Sequence, residues 1–71
     1  MIYYTEHAKN RMLQRGITKE EVEYGLQNYH THYHDETGNH IYRADLTIER
    51  HIKIVVVYNK DEKTIITIAD Y

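Results

Sequence analysis

His7, Arg11 and Arg15 stand four residues apart, so on a helix they lie one above another on a single face. Gln14 lies beside them, and Ala8 and Met12 are the stripe's inward neighbours. An imidazole next to two guanidiniums suits phosphodiester chemistry. Arginine holds a phosphate through two bonds and stabilises transition-state charge, while histidine moves a proton near neutral pH. The same spacing also describes a solvated helix face with its arginines paired to acidic neighbours.

A second constellation is His30-Thr31-His32-Tyr33-His34. On a strand, alternate residues share a face, so His30, His32 and His34 project together. Three neutral imidazoles at that spacing suit Zn, Cu or Ni, with Asp35 or Glu36 as an added oxygen ligand. The competing reading is the outer face of an edge strand, with Tyr29, Thr31 and Tyr33 turned in, and no metal is expected. The third is Arg43, which shares a face with Ile41 and Asp45 by alternation. On an open face it joins a phosphate site; otherwise it pairs with Asp45 or a neighbouring strand. Nothing matches a P-loop, a Gly-rich dinucleotide turn, a nucleophile elbow or HExxH, and no cofactor is expected.

The elements that must position these groups divide into a helical third and a strand-rich remainder. Thr5 caps a helix over 6–15, and Gly16 supplies the left-handed residue that ends it. Thr18 with Glu21 forms a capping box for a second helix over 19–28. Val22, Leu26 and Tyr29 fall on its inward stripe, and Gly25 beside them marks close packing. Strands are predicted over 29–34, 40–47, 52–58 and 64–69, with residues 1–4 as an optional short edge strand. Val55 and Val57 make the third strand apolar on both faces, which implies a twice-covered position. The predicted fold is α+β: two N-terminal helices on one face of a four-stranded antiparallel sheet. The expected core is Met12, Ile17, Val22, Leu26, Ile54, Val56 and Ile66.

The chain of 71 residues is one domain, and 28% of it is charged. That length excludes any fold built from two βαβ repeats. No apolar run is long enough to span a membrane, and the start lacks the basic flank and apolar stretch of a signal peptide, so a cytoplasmic location is expected. With no cysteine there is no disulfide, thiolate cluster or cysteine nucleophile. The formal charge of −2 argues against generic duplex binding, and protonating all six histidines would bring it to +4. All eight aromatics are tyrosines, suited to half-buried and interface positions. Together with the two-sided apolar strands they suggest a homodimer.

The pattern His7-Ala8, Arg11-Met12, Arg15-Gly16-Ile17, followed by Thr18, Glu20-Glu21-Val22 and Leu26, resembles the opening of a small bacterial family, domain of unknown function 4258. The strands Ile54-Val55-Val56-Val57 and Ile65-Ile66-Thr67-Ile68 resemble its close. More distantly, the element order is similar to toxins of the RelE and BrnT type. That resemblance implies a metal-independent ribonuclease acting on RNA and paired with an antitoxin or another small protein. It assigns phosphate binding to Arg11 and Arg15, acid–base work to His7, and transition-state charge to Arg43. The chain departs from such toxins in being slightly acidic. The alternative is a non-catalytic interaction module, favoured by that charge and by the absence of a nucleophile motif.

Overall fold

The computed structural model describes residues 2–71. Its order is β1 (Ile2–Tyr4), α1 (Glu6–Arg15), α2 (Lys19–Gln27), β2 (Thr31–His34), β3 (His40–Asp45), β4 (His51–Asn59) and β5 (Glu62–Asp70). Local chemistry sets the helix ends. The Thr5 hydroxyl accepts from the Ala8 N–H at 3.1 Å and donates to the Ile66 carbonyl at 3.0 Å, so one side chain both starts α1 and ties it to β5. Gly16 ends α1 in the left-handed region at φ 66°. The Thr18–Glu21 capping box is complete, with bonds of 2.9 and 3.1 Å. Arg50 then bonds the other Glu21 oxygen at 2.6 Å and fastens the β3–β4 loop to α2.

The sheet has five strands in the order β1-β5-β4-β3-β2, and it is mixed. The expectation of a four-stranded antiparallel sheet is therefore corrected. Strand β1 pairs parallel to β5, Ile2 opposite Lys63 and Tyr4 opposite Ile65, so the start of the chain completes the sheet beside its end. Met1 of the expected edge strand lies outside the described residues. The other pairings are antiparallel.

Both helices cover one face. Ala8, Met12 and Val22 pack with Tyr42, Ala44, Ile52, Ile54, Val56, Ile65 and Ile68, and Leu26 packs half-buried against them. Gly25 allows the close approach. A Cβ there would lie 3.0 Å from Ile54 Cδ1, 3.2 Å from Ile52 Cδ1 and 3.3 Å from Ala44 Cβ. Ile66, expected in the core, is only half-buried. Val56 pairs with Ile65 and Val55 with Thr67, leaving Ile66 as the unpaired residue of a bulge. The bulge breaks the two-residue alternation, so Ile65 and Ile68 both reach the helix face although they are three apart.

Among the described residues no helix covers the opposite face, so β4 is not twice-covered as expected. That open face carries Thr31 and Tyr33 from β2, Ile41, Arg43 and Asp45 from β3, and His51, Lys53, Val55 and Val57 from β4. Ile41 and Val55 are nonetheless buried, while Val57 is exposed.

Candidate functional site

The open face gathers an ionisable cluster where β3 ends and β4 begins. Asp45 sits opposite His51 across the ladder. Its Oδ1 accepts from His51 Nδ1 at 2.6 Å and lies 3.2 Å from His30 Nε2. The His30 Nε2 is also 2.8 Å from the Tyr71 hydroxyl, and its Nδ1 is 2.7 Å from Thr31 Oγ1. Both His30 nitrogens are thus engaged, whereas the bonding of His51 uses Nδ1 alone. A carboxylate that fixes one imidazole nitrogen leaves the other free to exchange a proton with a bound molecule. The bond from His51, followed by the nearness of His30, holds the Asp45 carboxyl below its ordinary value, so Asp45 stays a carboxylate. Burial, then the Asp45 charge, pushes the Tyr71 phenol up and keeps its proton on.

Arg43 lies two residues before Asp45 on the same face. Its guanidinium is 5.0 Å from the Tyr71 ring centre and 5.6 Å from that of Tyr33, with Nη2 3.4 Å from the Tyr33 hydroxyl. Cation–π contact on two sides holds the planar group in place. Among the described residues no carboxylate comes within salt-bridge distance of it, because Asp45 is taken by the histidines. Its buried Nε has no hydrogen-bond partner. Lys53 stands opposite Arg43 on β4, adding a second cation to the face. The arrangement holds an oriented imidazole, a protonated phenol and a free guanidinium on a surface no helix covers.

The helix stripe does not meet Arg43. α1 packs on β5 over the other face. His7 and Arg11 line a shallow groove with Asn10 and Gln14 on the outer side of α1. Arg15 turns away from that groove, to Asp70 at 3.3 Å. There it lines a hollow with Glu49, Arg50, His51, Asp70 and Tyr71, at the rim of the open-face cluster. Of the four residues His7, Arg11, Arg15 and Arg43, only Arg15 and Arg43 approach the same cluster, from its two sides.

The expected face of His30, His32 and His34 is also corrected. Residues 29 and 30 precede β2, and the chain bends there, so His30 leaves the alternation and joins Asp45 on the open face. His32 and His34 point to the helix side, beyond the cover of the helices, where they meet His40. Among the described residues no group of three or more His, Cys, Asp or Glu is arranged to hold a metal ion. The sequence reading missed His51 and Tyr71 because the register that joins them to Asp45 depends on strand pairing. The single legible signal was the alternation placing Arg43 and Asp45 together.

Among the described residues no helix is long and apolar enough to cross a membrane. The description "Domain of unknown function (DUF4258)" matches residues 4–70, and the chain belongs to that family. No curated protein and no solved structure matches it significantly.

Proposed function

We propose that this member of the DUF4258 family is a small metal-independent ribonuclease that works on the open sheet face. The observation that carries this is the Asp45–His51 pair beside an Arg43 guanidinium that no carboxylate among the described residues neutralises. RNA carries its own nucleophile, the ribose 2′-hydroxyl. Cleavage then needs a base for that proton, positive charge for the phosphorane oxygens, and an acid for the departing 5′-oxygen. His51 Nε2 takes the 2′-proton as the 2′-oxygen bonds to phosphorus. Arg43, with Lys53 opposite, holds the non-bridging oxygens. The bond from phosphorus to the 5′-oxygen breaks, and the Tyr71 hydroxyl returns a proton to that oxygen. His30, with both nitrogens engaged, positions Tyr71 and Asp45. Arg15 at the rim of the site, then Arg11 and His7 about 6 and 12 Å further along the axis of α1, form a track for the flanking backbone phosphates. The element order read from the sequence resembles that of RelE- and BrnT-type toxins, and on that analogy alone the proposal extends to a small-protein partner of the antitoxin kind.

The test is cleavage of end-labelled single-stranded RNA in EDTA by purified protein. His51→Gln and Arg43→Ala are each expected to lower the rate on the order of 100-fold, as for loss of one transition-state donor. Arg11→Ala weakens RNA binding and leaves the melting temperature in place. Products should end in a cyclic phosphate, and an all-deoxy strand should survive. Full activity in His51→Gln, or equal cleavage of the deoxy strand, refutes the assignment.

The interaction-module reading keeps one specific support. Leu13 and Ile48 are 84% and 96% exposed. A groove lined by Glu20, Glu21, Tyr24, Leu46 and Thr47 lies on the helix side, away from the cluster. If cleavage never exceeds a mock preparation while the product of an adjacent reading frame binds that side, the module reading stands. Sedimentation settles the homodimer in the same preparation.

A further inference from the structure

The two imidazoles left over from the metal reading, His32 and His34, form a second cluster with His40 of β3, and it has a different consequence. His32 Nε2 lies 2.9 Å from His40 Nδ1. The ring centres of His32, His34 and His40 are 4.2 to 5.7 Å apart. His32 also stacks on Tyr42 at 4.3 Å, and Tyr58 meets His40 edge-on at 4.5 Å. These contacts are most of what holds β2 by its side chains on that face, since β2 is a four-residue edge strand paired to β3 alone.

We propose that His32, His34 and His40 form an acid-sensitive latch on β2, closed when the rings are neutral, and that its release frees Arg43 on the opposite face. A bond between two imidazole nitrogens needs one donor and one acceptor, and a protonated imidazole has no acceptor. It therefore cannot survive protonation of both rings. The groups facing the cluster offer no compensation. From β3 and β4 come the Tyr42 and Tyr58 phenols, whose hydroxyls bond each other at 2.6 Å. Tyr29 packs on Tyr42. Lys63 of β5 lies over the Tyr58 ring, 5.9 Å from its centre, and adds positive charge. Asp35 of the hairpin turn spends its carboxylate on Thr37 and Asn39. Burial and the charges of His34 and His32 push the His40 ring below its ordinary value. Its folded form therefore resists the proton that the unfolded chain accepts. The contribution of the latch is complete above the ordinary value of about 6.5 and is lost as the pH falls below it.

Release reaches Arg43 because Tyr33, one residue from His32 and His34, faces the other way and supplies half of the aromatic grip on the guanidinium. At the observed spacing, two like unit charges disfavour a state by roughly fourfold per pair at solvent-like dielectric. Two or more such pairs give on the order of tenfold.

The test is amide exchange followed by NMR on the full chain, read as protection factors so that the intrinsic pH dependence cancels. From pH 7.5 to 5.5, protection in β2 should fall tenfold or more, while the central β4 amides of Ile54 and Val56 hold. The Arg43 Nε–H resonance should broaden with the same midpoint. In His34→Gln/His40→Gln the dependence should disappear, and the single variant His34→Gln, which touches no buried group, should weaken it. Equal changes in β2 and β4, an unaltered response in the double variant, or a static Arg43 resonance while β2 opens would each overturn the latch.

Discussion

Replacing Gly25 with Ala sets two known effects against each other. Alanine gains about 1 kcal/mol over glycine in a helix interior. Against that, the new methyl would stand 3.0, 3.2 and 3.3 Å from Ile54 Cδ1, Ile52 Cδ1 and Ala44 Cβ, where carbon pairs prefer about 3.5–4.0 Å. The two isoleucine termini can swing aside. Ala44 Cβ cannot, because it is fixed to the backbone of β3. Overpacking of this kind costs about 1–3 kcal/mol, so crowding wins and the net loss is about 1 kcal/mol. For a domain of this size that lowers the melting temperature by about 4–8 °C. Urea denaturation should show a lower midpoint with an unchanged slope, since the exposed area on unfolding is the same. Ile54→Val removes the nearest methyl. Alone it should cost about 0.5–1.5 kcal/mol. Combined with Gly25→Ala it should recover at least about 0.5 kcal/mol relative to the sum of the single changes. A Gly25→Ala protein more stable than the parent, or strict additivity in the cycle, would refute the argument that α2 is held at glycine distance.

Two further outcomes test the electrostatics. The Glu21 carboxyl is held below its ordinary value chiefly by the Thr18 backbone N–H, and then by Arg50. The unfolded chain therefore binds the extra proton, and the stabilisation is present above about 4.5 and fades as the pH falls through the lower folded value. Glu21→Gln should flatten the acid limb of the stability curve between pH 5 and 3. The Tyr42 phenol is pushed well up by burial and then by its bond to Tyr58, so in an ultraviolet titration one tyrosine should ionise only as the fold is lost, and Tyr58→Phe should bring it down.

The helical part of this fold was legible because its signals are local. The capping bonds of Thr5, Gly16, Thr18 and Glu21 each reach no further than four residues, so their types and order fix where both helices begin and where the first one ends. Register is a different matter. The bulge that moves Ile66 aside is a property of the β4–β5 pair, and no composition within β5 announces it. Strand β1 is three residues long and has meaning only beside β5. The candidate site divides the same way. Alternation alone placed Arg43 and Asp45 together, but His30, His51 and Tyr71 reach Asp45 from separate parts of the chain. His30 departs from the expected alternation because one bend ahead of β2 sends its ring to the other side of the sheet. On α1, His7 and Arg11 share a groove while Arg15 turns to Asp70, and the relation of these residues to Arg43 depends on which side of the sheet α1 covers.

The meeting of the first elements with the last strand has a kinetic consequence. β1 and α1 both rest on β5, and the Thr5 cap reaches a carbonyl 61 residues downstream. During synthesis the amphipathic α1 emerges early with no surface to bury its apolar side against, and it must wait for nearly the whole domain. The β3–β4–β5 meander, joined by short connections, is the part able to assemble first. Until β5 is made, Ala8 and Met12 stay open to solvent or to any chaperone at hand. A deletion within β5 would remove an edge partner, a helix dock and a cap acceptor at once, so it should abolish folding outright instead of trimming the sheet.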